Sequence, residues 1–83
     1  MNKERRKRLA KVEEAISQMA DLKEFALGEL SDVLAEEEEA FENLPDSFKG
    51  SEKGEEMQMG IETMQDAVQG LEDFEPVGLS ELL

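Results

Sequence analysis

A chain of 83 residues with a formal charge of −13 is too short for more than one domain, and for a core wide enough to enclose a catalytic cavity. It contains no cysteine, histidine, tyrosine or tryptophan. That excludes disulfides and thiolate metal sites, and with them the commonest general base and the commonest metal ligand.

Charge is spread unevenly along the chain. Residues 1–11 carry six cations (Lys3, Arg5, Arg6, Lys7, Arg8 and Lys11) against Glu4 alone, whereas residues 12–83 hold three cations and 21 acids. An acidic body with a short basic arm repels nucleic acid and anionic membranes and suits basic protein partners. No apolar run approaches the roughly 18 residues of a membrane span, and no stretch reads as a signal-peptide core. A cytoplasmic location is the expectation.

The first element is a long helix over about residues 3–43. Leu9, Val12, Ile16, Met19, Ala26, Leu30, Val33, Ala40 and Leu44 step by threes and fours, with two gaps that fall at Lys23 and Glu37. Leu27, Leu34 and Phe41 adjoin this stripe and widen it. Pro45 ends the helix by pushing the preceding residue, Leu44, out of helical geometry.

A turn follows over 44–51, with room for one helical turn of its own. Leu44 and Phe48 are placed to pack back on the helix ends, and Asn43, Asp46 and Ser47 to bond freed backbone groups. Ser51 reads as an N-cap, followed by Glu52, Glu55 and Glu56 at the positive end of a helix dipole. Met57, Ile61, Met64, Val68 and Leu71 then define a second helix over about 52–74, which Pro76 and Gly78 end. The tail 75–83 is apolar but too short to fold alone.

These elements predict an all-α, antiparallel two-helix hairpin forming one domain over 1–83. At about 1.5 Å per residue, the first helix is roughly 60 Å long and the second roughly 35 Å. Folding back places Phe41 near Gly54, Leu34 near Ile61, Leu30 near Met64, Ala26 near Val68 and Leu22 near Phe74. The stripe Leu9, Val12, Ile16 and Met19 is then left uncovered. Self-association through those four residues, or docking to a partner, is expected to complete a bundle.

The run Ala40-Phe41-Glu42-Asn43-Leu44-Pro45-Asp46-Ser47, followed by Ser51-Glu52-Lys53-Gly54-Glu55, resembles a set of small acidic helical-hairpin proteins of bacteriophages and phage-derived bacterial loci. The resemblance spans roughly residues 20–74 and implies a hairpin fold and a phage context. It carries over no functional residue.

No catalytic residue, cofactor or metal is expected. A calcium loop starting at Asp46 would need oxygen ligands where Phe48 and Gly50 stand, and a glycine where Ser51 stands. The di-iron bundles need histidine. The remaining candidate is the acid surface of Glu29, Asp32, Glu36, Glu37, Glu38, Glu39 and Glu42, seven acids in fourteen residues. One charge per roughly 3 Å of helix is close to the roughly 3.4 Å per strand of duplex phosphates. Three functions follow as expectations. The first is a non-catalytic interaction protein that binds a basic nucleic-acid-handling host protein by mimicry. The second is a coiled-coil oligomer with a purely structural or assembly role. The third is a regulator that inserts its tail residues Leu79, Leu82 and Leu83 into a groove.

Overall fold

The computed structural model describes all residues, 1–83, and is an all-helical rod of 68 × 15 × 14 Å. Helix α1 runs Lys3–Glu42, a four-residue helix α2 spans Asp46–Lys49, and α3 runs Glu52–Asp73. A single 3-10 turn at Ser80–Leu82 closes the chain. The hairpin forms between α1 and α3, which pack antiparallel with α2 at the bend.

The two long helices, α1 and α3, each start on a side-chain cap. Asn2 Oδ1 accepts from the Arg5 N–H at 2.8 Å, and Ser51 Oγ accepts from the Gly54 N–H at 3.3 Å. These caps satisfy amides that have no partner within the helix. The turn between α1 and α3 closes differently from the sequence-based expectation. Asn43, Asp46 and Ser47 cap nothing through their side chains. The bend is held by backbone bonds instead: Asn43 N–H to Glu39 O at 3.0 Å, Phe48 N–H to Pro45 O at 2.8 Å and Ser51 N–H to Phe48 O at 3.1 Å. Leu44 is half-buried as expected, but Phe48 is exposed. Lys49 occupies the inner side of the bend, with Nζ 5.7 Å from the centre of the Phe41 ring.

Gly54 is one of only two buried residues, the other being Ile61. The α2 backbone lies directly on it. A Cβ here would fall 2.7 Å from the Lys49 carbonyl carbon and inside contact distance of the Phe48 and Lys49 oxygens. Glycine is needed for this close approach, which sets where α3 begins.

The contact seam lies one position round from the predicted stripe. On α1 the half-buried residues are Leu9, Glu13, Ile16, Ala20, Lys23, Leu27, Leu30, Leu34, Glu37 and Phe41, an unbroken alternation of three and four that Leu44 continues just past the helix end, with Ala26 beside it. Val12, Met19 and Val33, expected in the stripe, are 46%, 42% and 47% exposed. Leu27, Leu34 and Phe41 take their place because they carry the larger side chains to the α3 face. On α3 the seam is Gly54, Met57, Ile61, Met64, Val68 and Leu71.

The tail is also more ordered than expected. The Leu79 N–H donates to the Glu13 carboxylate, so residues 75–83 continue back along α1 past the end of α3. Leu9 and Ile16 are half-buried in this half of the rod, while Val12 and Met19 stay open. The four residues therefore do not form one free face.

Gly54→Ala should destabilise the hairpin by about 1–3 kcal/mol, the usual cost of overpacking. Gly28→Ala adds its methyl to open space in mid-helix and should stabilise by about 0.5–1 kcal/mol. Thermal melts followed by circular dichroism should move in opposite directions. A Gly54→Ala protein as stable as its parent would show that α2 does not rest on α3.

Candidate functional site

Three ionisable residues occupy seam positions of α1, and their surroundings differ. Glu13 accepts from the Leu79 N–H and anchors the tail. Lys23 Nζ donates to the carbonyls of Glu72 at 3.3 Å and Phe74 at 2.5 Å. These are unpaired carbonyls at the C-terminal end of α3, where a cation also meets the negative end of the helix dipole. Lys23 is thus a structural cap, which accounts for a charge in an apolar stripe.

Glu37 is the exception. It is half-buried beside Lys53, Glu56, Met57, Gly60 and Met64, yet it makes neither hydrogen bond nor ion pair within the chain. The single ion pair of the molecule is Lys49–Asp46 at 3.9 Å, within the bend.

The seven acids divide among three faces. Glu29, Asp32, Glu36 and Glu39 are exposed and spaced by three, four and three, so they form one row on the side of α1 turned away from α3. Glu38 and Glu42 border a depression on one flank, facing Gln58, Glu62 and Gln65 of α3. Glu37 lies on the opposite flank. The row proper carries one charge per roughly 5 Å, sparser than the roughly 3 Å given by all seven acids together. No group of three or more carboxylates is placed to hold a metal ion, and no helix is long and apolar enough to cross a membrane.

Of the four residues assigned to self-association, Val12 and Met19 lie on an exposed flank, and Leu9 and Ile16 turn toward the tail side. Leu22 and Phe74, expected to lie near each other, do line one depression together with Met19 and Leu71, but Leu22 is 66% exposed there and was not assigned to the self-association surface. Its spacing from Met19 and Ala26 belongs to a second three-four repeat running beside the first, and that repeat could have placed it there. No family model matches the chain, and comparison with curated proteins and with solved structures finds no match.

Apolar replacements at two of the seam charges should have opposite signs. Lys23→Met leaves two carbonyls uncapped and should cost about 1 kcal/mol. Glu37→Leu places a side chain of suitable size against Met57 and Met64 and should gain about 1 kcal/mol. Denaturant titration reads both. Loss of stability in Glu37→Leu would mean that the carboxylate holds the hairpin together.

Proposed function

We propose that the chain is a non-catalytic interaction protein of phage type, which binds a basic, nucleic-acid-handling protein of a bacterial host and blocks or modulates it. The binding surface is the row Glu29, Asp32, Glu36 and Glu39, flanked by Glu37, Glu38 and Glu42. A straight helix holds these carboxylates at fixed intervals, as a nucleic-acid strand holds its phosphates, and each basic side chain that meets one is neutralised in the same way. The host cytoplasm is the location that this reading implies.

The observation that carries the reading is that none of the seven carboxylates is ion-paired within the chain, although nine cations are present. Six of those cations are confined to residues 1–11, at the far end of α1 from the acid row. The chain leaves its own row available to cations from elsewhere. A second reading, assembly through a coiled-coil interface, draws on the exposed apolar flank at Val12, Met19 and Leu22.

Immobilised protein should retain basic, nucleic-acid-binding proteins from bacterial lysate at about 50 mM salt and release them by about 200 mM. The retained protein, once purified, should lose affinity for duplex DNA when the chain is added. Reversing Glu29, Asp32, Glu36 and Glu39 to lysine should abolish this competition while helicity persists. If the reversed protein competes as well as the parent, the acid row is not the binding surface.

A further inference from the structure

The molecule exposes more surface than its size requires. Its accessible area is 6494 Å², against roughly 5,000 Å² for a compact monomer of 9.3 kDa. The radius of gyration is 20.1 Å, against roughly 12 Å for a compact domain of this length. The excess area, roughly 1,500 Å², is more than the roughly 800 Å² that each chain of a standard-size interface loses on association.

One flank of the hairpin carries five of the twelve exposed large hydrophobic residues: Val12, Met19, Leu22, Val33 and Phe74. On α1, Val12, Ala15, Met19, Leu22, Ala26 and Val33 keep the three-four rhythm, with Glu29 filling its one gap. They form a second row about 100° round from the α3 seam. On α3, Met57, Gly60, Met64, Ala67 and Leu71 keep the same rhythm, with Phe74 following at the C-cap. The two rows border one groove. Met19, Leu22 and Ala26 meet Leu71 and Phe74 at one level, and Glu37 meets Met57, Gly60 and Met64 at another. Small residues stand in both rows, Ala15 and Ala26 on α1 and Gly60 and Ala67 on α3, which lets a third helix approach closely.

Charge and length together identify that helix. The α1 row continues through Arg8 and Arg5 at its N-terminal end, and its outer edge, Ala15 and Leu22, runs on to Glu29 and Glu36 at the other. It is cationic, then apolar, then anionic. A second copy laid parallel would set arginine on arginine and glutamate on glutamate, whereas an antiparallel copy meets opposite charge at both ends. The length of α1 that α3 leaves unpaired is its N-terminal half, about as long as the groove on the hairpin half.

We infer that two copies pair antiparallel about a two-fold axis near Met19 and Leu22, the N-terminal half of each α1 lying in the α1–α3 groove of the other. With Met19 opposite Leu22 of the second copy, Ala15 falls opposite Ala26 and Arg5 opposite Glu36. Arg8 then lies between Glu29 and Glu36. Each end of the assembly becomes a three-helix bundle, and the interface is the same patch on both copies. A strip about 50 Å long and as wide as the 15 Å rod covers about 800 Å² per copy, the standard size. This pairing does not rest on the nucleic-acid-mimic reading. Because Glu29 and Glu36 serve both, a basic protein and a second copy compete for them.

The purified chain alone supplies the test. Sedimentation equilibrium at tens of micromolar should give twice the 9.3 kDa chain mass, and Leu22→Asp should halve it. The chain has no cysteine, so single-cysteine probes are unambiguous. Arg5→Cys and Glu36→Cys proteins should form a disulfide when mixed and little when oxidised separately. Arg5→Glu with Arg8→Glu should weaken dimerisation by about tenfold or more, and Glu29→Arg with Glu36→Arg on the second copy should restore it. A monomer for the unaltered chain, or disulfides between like positions, overturns the proposal. Either result leaves the lysate competition experiment, which can be run with monomeric Leu22→Asp, to stand or fall separately.

Discussion

The line of contact between Leu27, Leu30, Leu34 and Phe41 of α1 and Met57, Ile61, Met64 and Val68 of α3 is what the remainder of the molecule depends on. With only one neighbour, each helix can have its seam covered from a single side, and Ile61, 9% exposed, is the only apolar side chain that becomes buried. Such a contact has little depth, so its register must be set by something other than jigsaw packing. The bend does this. Gly54 lets the α2 backbone rest on the first turn of α3, Ser51 caps that turn, and the seam then proceeds at fixed intervals from Gly54 to Leu71.

The polar residues of the seam follow from the difference in helix length. Helix α1 has 40 residues and α3 has 22. Where α3 stops, its last carbonyls need donors, and Lys23 stands at that level. Farther along, the tail presents a free amide at Leu79, which Glu13 accepts. Both charges serve backbone groups that a longer α3 would have satisfied internally. Glu37 has no such reason to be present, since it lies where α3 is continuous and apolar. A leucine there would suit the hairpin better.

The helices and the bend were readable from composition, the two prolines, Ser51 and the three-four rhythm, because those signals act locally. The face that α1 turns to α3 was not readable. Leu9, Ile16, Lys23, Leu30, Glu37 and Leu44 belong equally to two repeats, one completed by Val12, Met19 and Val33 and the other by Leu27, Leu34 and Phe41. An apolar stripe about 100° wide is compatible with either partner direction, and one helix alone cannot choose between them. The choice came from bulk on the side facing α3, and from Lys23 and Glu13 finding backbone partners. The acid residues were legible as a cluster but not as a geometry. Consecutive glutamates 36–39 sweep round the helix, so only Glu36 and Glu39 join Glu29 and Asp32 in a row.

That row carries an internal cost that bears on what it can bind. Glu29–Asp32, Asp32–Glu36 and Glu36–Glu39 are like charges three or four residues apart, each pair destabilising the helix by about 0.2–0.5 kcal/mol. The chain could lower the repulsion by placing a lysine among them, and it has none between Lys23 and Lys49. Six of its nine cations are held at the other end of a 68 Å rod, several Debye lengths away at physiological salt. Within one molecule the two ends cannot neutralise each other, whereas an antiparallel neighbour brings them together over the full length of α1. A basic protein surface relieves the same repulsion. Whatever cation meets the row gains both its own attraction to the carboxylates and the strain they exert on one another, which makes the separation of charge along this helix a source of binding energy rather than a by-product of composition.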